Sequence, residues 1–273
     1  MRRRLPLVLL YTALVVGALL AMLPLFWMVS ASFMPKGDAT TYPPHLLPRR
    51  VTLEHYRDIF TRLDMGRFLL NSAIVATTVT VVSLLINSMA GYAFAKLRFK
   101  GRDATFRLLT TGLVVPVQVA MLPLFLLMKQ MGLINTYWGV IVPSLASIFG
   151  IFLIRQYALA FPDELLDAAR IDGASELRIY FSVVLPTIAP VLATLAIWTF
   201  LTTWNDFMWP LIVLSDDARY TLPVALANLV GEHMQDTELM MAGSVVTTLP
   251  VLLVFLFLQR YYIQGVMAGS VKG

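Results

Sequence analysis

Apolar and polar positions along the chain fall into long blocks. Apolar runs cover residues 5–33, 68–95, 106–128, 137–157, 183–204 and 239–258, with polar stretches between them. Each run reaches the length of ~20 residues that a helix needs to cross the hydrocarbon of a bilayer. The pattern therefore predicts an all-α polytopic membrane protein with six transmembrane helices in one domain over residues 1–273. The fifth run carries Pro186 and Pro190 near its start, so a kink or a late start is expected there. Arg2, Arg3 and Arg4 precede the first run. A cleaved signal sequence has a similar basic start but an apolar core of only ~7–15 residues. The first run is accordingly read as a retained helix with its N-terminus in the cytoplasm, which for six spans places the C-terminus there too.

Two connecting stretches carry a pattern of their own. Residues 35–67 are polar and begin rich in proline, then reach Tyr56, Ile59 and Phe60 on one face of a short amphipathic helix. Such a helix fits the outer membrane interface or a packed loop equally well. Residues 215–238 hold Asp216 and Asp217, an apolar stretch over 224–230, and a polar end. That loop is expected to dip into the membrane or to meet an extracytoplasmic partner.

Composition agrees with a membrane location. Hydrophobic residues make up 58% of the 273, charged residues 14%, and mean hydropathy is +0.75, more apolar surface than a soluble domain hides. The net charge of +5 does not require nucleic acid. In the six-span topology thirteen Lys and Arg fall on the cytoplasmic side and eight outside, as the positive-inside rule expects. The chain has no cysteine and three scattered histidines. Disulfides and thiolate sites are excluded, and no metal site or cofactor is expected. Phosphate-cradling G-x-x-x-x-G-K-[ST], HExxH and G-x-S-x-G patterns are absent, so an enzyme is not expected.

The most informative polar segment is residues 161–178. Pro162 suits a first helical position, and Asp163 and Glu164 place negative charge at the positive end of the helix dipole. Gly173 supplies a left-handed stop. Leu165, Ala168 and Ala169 are expected to form a narrow outward apolar stripe, and a second helix is expected to start near Ser175 and lead to Pro186.

Polar residues inside the apolar runs are candidates for a substrate path: Asn71, Asn87 and Gln118, with Ser72, Ser88, Ser144 and Ser147. Intramembrane polar groups face a bundle interior or water, and hydrogen bonding between helices is the alternative role for each. Trp204, Asn205 and Asp206 close the fifth run. They make either an interfacial aromatic belt or an aromatic wall with an amide and a carboxylate, suited to sugars.

Three of these features resemble the binding-protein-dependent ABC-transporter permeases. Asp167-Ala168-Ala169 with Gly173 and Leu185-Pro186 resembles their EAA motif, with Asp167 where the motif has glutamate. Trp204-Asn205-Asp206-Phe207 is similar to a W-N-x-F pattern of the carbohydrate, maltose-permease-like branch. The tail containing Gln264 and Gly269 looks like the ending of that branch.

The resemblance implies the fold of an ABC type I importer permease in the bacterial inner membrane. It implies a second homologous permease, two ATPase subunits on the cytoplasmic side, and an extracytoplasmic substrate-binding protein, all within membrane lipid. Coupling to the ATPase would fall to Glu164, Asp167, Ala168, Ala169, Asp172, Gly173 and Pro186, and tail docking to Gln264 and Gly269. The implied cargo is a sugar or oligosaccharide. Alternatives are a permease for a non-sugar solute such as a polyamine, and a secondary transporter, which would need intramembrane charge or an inverted repeat.

Overall fold

A computed structural model describes residues 4–43, 45–232 and 236–270 of the chain. Helix α1 (Arg4–Ala31) is followed by α2 (Glu54–Thr61), α3 (Met65–Lys96), α4 (Arg102–Thr111) and α5 (Val117–Gln130). Then come α6 (Tyr137–Ile141), α7 (Ile148–Leu159), α8 (Asp163–Ile171) and α9 (Glu176–Ile179). Helices α10 (Leu185–Thr187), α11 (Ala189–Trp204), α12 (Met208–Val213), α13 (Leu222–Glu232) and α14 (Thr237–Ser270) complete the order. The described residues are all-α.

Four described stretches are long and apolar enough to cross a bilayer alone: Leu9–Ala31, Met65–Lys96, Tyr137–Leu159 and Thr237–Phe257. Two further pairs qualify only when taken together. Arg102–Val114 and Val117–Gln130 meet at 109°, and Glu176–Thr187 and Ala189–Trp204 meet at 79°. The expected straight span over 106–128 is therefore broken. Pro116 lacks an N–H and biases the residue before it to extended backbone, and Val115 sits at φ −80°, ψ 118°. The run over 183–204 also breaks, at Ile188 before Pro190, and its long helix starts only at Ala189. The last helix continues past residue 258 to Ser270.

The chain divides into two compact units. One takes Met1–Leu69 with Val224–Pro250, the other Leu70–Pro223 with Val251–Gly273. In the first, Ala31, Met34 and Ala39 form a small core with Trp27 and Met241. The α2 helix packs there through His55 and Ile59, while Phe60 points outward. His55 Nε2 lies 2.9 Å from the Met34 carbonyl, and the Ala39 N–H donates to Glu238 Oε1 at 2.7 Å. Along the most apolar part of α1 nothing is buried within the chain, as suits a helix that meets lipid or another subunit.

The second unit has two cores, both resting on α3. Val75 and Val79 join Met128, Val140, Ile141, Trp209 and Val213 toward its start. Tyr92 joins Ile154, Leu166, Ile179, Tyr180 and Leu195 toward its end. Between the cores Asn87, fully buried, holds the start of α7. Its Oδ1 accepts the Ser147 N–H at 3.0 Å, and its Nδ2 donates to Ser83 Oγ at 2.6 Å. An interruption in a membrane helix leaves backbone groups that need such partners.

Candidate functional site

Helix α8 begins after Pro162, which stands just outside it as the cap residue at φ −62°, ψ 132°, rather than in its first turn. Asp163 and Glu164 occupy the first turn and Arg170 the last, each at the dipole end that favours its charge. Gly173 has φ +80°. Its N–H donates to the Arg170 carbonyl and the Ala174 N–H to the Ala169 carbonyl, both at 3.0 Å, which closes the helix end. Ser175 Oγ then accepts the Arg178 N–H at 3.4 Å and starts α9.

Leu166, fully buried, carries the packing of α8 against Ile154, Tyr180 and Ile188. Ala169 is turned toward that core. The outward face thus differs from the expected Leu165, Ala168, Ala169 stripe. It consists of Leu165, Ala168 and Ile171, the last 86% exposed, flanked by Glu164, Asp167 and Asp172. The reason is register. Leu166 and Ala169 are three apart and take the core side, so Leu165 and Ala168 face away. Pro186 lies outside this face, exposed in α10 just before the 79° bend.

Polar contacts fasten α8 to the end of α3. Lys96 Nζ donates to Asp163 Oδ1 and to the Phe161 carbonyl, both at 2.6 Å. Arg170 bridges Asp167 Oδ1 and Glu176 Oε1, each at 2.8 Å, and Tyr92 donates to Glu176 Oε2 at 2.9 Å. A cleft of about 800 Å³ opens beside them, lined by Lys96, Arg98, Arg102, Asp163, Asp167 and Glu176 among others. The Lys96 ammonium holds the Asp163 carboxyl below the usual carboxylate range, and the Glu176 carboxylate raises the Arg170 guanidinium.

A depressed carboxylate contributes at pH above its ordinary value and loses that contribution as pH falls through its lowered value. At neutral pH, Asp163→Asn is therefore expected to raise intrinsic-rate-corrected hydrogen exchange of the α8 amides a few-fold, the scale of an exposed ion pair. In acid below the Asp163 value, variant and wild type should exchange alike. Equal exchange at neutral pH would show that the Lys96–Asp163 pair does not help to seat the helix.

The residues expected along a substrate path separate into two groups. Asn71 is buried and structural: its Nδ2 donates to the Ala218 and Tyr220 carbonyls at 3.0 and 2.9 Å, and Tyr137 donates to its Oδ1 at 2.7 Å. Asn87 is the α7 cap already described. Trp204 is buried and stacked on Phe200 at 5.5 Å. Asn205 is exposed and donates to the Leu201 carbonyl of its own helix at 2.8 Å. Gln118 is exposed in the first turn of α5.

Asp206 lines a cavity of about 280 Å³, whose walls include Ser144, Ser147, Trp198, Thr202 and Thr203. Trp198 was not singled out from the sequence, although its spacing of four to Thr202 puts the two on one helix face. Lys96 and Tyr92 were also missed, because their partners lie 67 and 84 residues away. Gln264 and Gly269 fall within α14, but their side chains lie outside the described residues.

Residues 86–267 match the family model described as binding-protein-dependent transport system inner membrane component. The chain belongs to this family. It is a permease of the ABC-transporter type, a multi-pass inner-membrane component and not the catalytic subunit. The arabinooligosaccharides transport system permease protein of Halalkalibacterium halodurans is 41% identical over 259 residues, covering 94% of this permease and 93% of that protein. The lactose transport system permease protein of Rhizobium radiobacter is 35% identical over 277 residues, covering 100% and 98%. Among solved structures, a chain of a bacterial ABC transporter that imports the acidic polysaccharide alginate shares the fold, with a TM-score of 0.84 at 23% identity over 95% of this permease and 97% of that chain. The matched stretch of the permease runs from within α3 to within α14 and contains α8, Gly173 and, apart from Val79, the residues that line the cavity.

Proposed function

We propose that this permease is one half of the pore of an ATP-driven importer of a sugar or oligosaccharide, energised through α8. A second, homologous permease completes the pore, two ATPase subunits sit on the cytoplasmic side, and an extracytoplasmic binding protein delivers the cargo. Both termini and α8 face the cytoplasm. The outward face of α8 docks in the ATPase through Leu165, Ala168 and Ile171, with Glu164, Asp167 and Asp172 at its rim. Ala169, Gly173 and Pro186 shape the segment that presents it.

One observation carries this reading. The α8 helix is exposed on one face, while the other packs through Leu166 into the core around Ile154 and Tyr180 and is tied to α3 by Lys96 and, by way of Glu176 and Arg170, by Tyr92. A push on α8 is therefore delivered to α3 and to that core instead of being absorbed in a loop. A conformational change is driven only by a partner that binds the two states differently, and nucleotide-dependent closure of the ATPase pair provides that difference. The sugar class is supported by the relatives named for arabinooligosaccharides and lactose.

The absence of cysteine gives a direct test, since Ala168→Cys carries a unique thiol. In the assembled complex a short reagent with one thiol-reactive and one photoreactive end should link this position to the ATPase subunit, and labelled arabinotriose or lactose should enter vesicles only with ATP. Uptake that persists after the ATPase subunits are removed would overturn the importer reading.

A further inference from the structure

We propose that the cavity beside α11 is a sugar subsite carried by this chain itself, with Trp198 as its platform and Thr202 and Asp206 along its polar edge. The proposal rests on the importer reading above and adds where in this permease the cargo is held.

Trp198 and Thr202 stand one turn apart on α11, and Asp206 lies just past the helix end, beyond the cap residue Asn205; all three line the cavity. Trp198 is 56% exposed, while Trp204 on the same helix is buried in the core. Its ring is braced by Phe149 at 5.7 Å and 48°. Across from it lies the interruption between α6 and α7, which brings Ser144 and Ser147 to the cavity. That interruption is built rather than frayed. The Ser147 N–H donates to Asn87, and the Ser147 hydroxyl accepts the Gly150 N–H at 3.2 Å. Irregular backbone at membrane depth is tolerated where it lines a cavity.

The chemistry matches a sugar ring. Such a ring has a C–H face that packs on an indole and a rim of hydroxyls that donate to carboxylates and exchange hydrogen bonds with threonine and serine. At about 280 Å³ the cavity stands at the lower end of small-molecule pockets, which start near ~300 Å³. It holds one ring, with the remainder of an oligosaccharide reaching beyond this chain.

The test uses the whole transporter, captured from its own membrane through a tag on this chain and reconstituted in vesicles with its binding protein. Uptake of labelled arabinotriose, lactose, maltotriose and spermidine is measured. Trp198→Ala is expected to raise the apparent KM for the imported sugar about tenfold, the scale of one lost aromatic stack. Trp198→Phe should restore most of that loss, and Thr202→Val should change the order of preference among the sugars. Sugar KM values and preferences that match wild type in all three variants would overturn the subsite and leave the importer reading standing. A purely structural role predicts one common drop in maximal uptake for every sugar, and that outcome would overturn the subsite as well. ATP-dependent uptake of spermidine without sugar uptake by the wild type would overturn both readings.

Discussion

Gly173→Val is expected to abolish coupled transport while leaving the helices inserted in the membrane. The residue at this position takes φ +80°, where a β-branched side chain is strained by roughly 1–3 kcal/mol. No atom lies within 4 Å of the position a Cβ would take, so the effect comes from the backbone and not from a clash. Relieving the strain unwinds the stop that the Gly173 and Ala174 N–H groups make on the last turn of α8. The exposed face of Leu165, Ala168 and Ile171 is then turned away from its partner. In purified complexes the variant should lose the ATPase subunits, or hydrolyse ATP without moving sugar. Gly173→Asn, which tolerates left-handed backbone, should keep most of the transport. Co-purification with undiminished transport by Gly173→Val would refute the coupling role.

Gly139→Ala should be the most damaging single methyl among the described glycines. A Cβ there would lie 2.3 Å from the Leu133 carbonyl oxygen and 2.9 Å from Val213 Cγ1. The first of these is backbone and has little freedom to move. The same residue's carbonyl accepts the Trp209 indole N–H at 3.1 Å, so a shift of α6 would also disturb a buried hydrogen bond. Overpacking of this kind costs about 1–3 kcal/mol, and more where the neighbour is rigid. The variant is expected to melt several degrees lower in detergent and to accumulate poorly. Gly17→Ala, with nothing within 4 Å, should change neither. Equal melting of Gly139→Ala and wild type would mean that α6 moves aside freely.

How much of the site could be read in advance depended on the range of the forces involved. The α8 segment was legible because its determinants are local. Charges at a helix end, a glycine stop and a serine cap act within a few residues. Its outward face was misjudged by one register, since the side it buries is set by Ile154 and Tyr180 and not by α8 itself. For the in-membrane polar residues the sequence left a substrate path and bonding between helices both open, for a similar reason. Asn71 and Asn87 had the right chemistry for a path, but their partners at Tyr137, Ala218 and Ser147 come from other helices.

The sequence by itself determined that this is a helical membrane protein with a capped polar helix in its second half. Apolar run length and end-capping chemistry are properties of the chain alone. Only the tertiary structure decided which tryptophan is buried and which stands at a cavity, where the spans break, and that Lys96 directly, and Tyr92 by way of Glu176 and Arg170, tie α8 to α3. In a bilayer nearly every side of an apolar helix is acceptable to lipid, so hydropathy does not choose the face it packs. That choice is made by close contact and hydrogen bonding between helices, which exist only once the chain has folded.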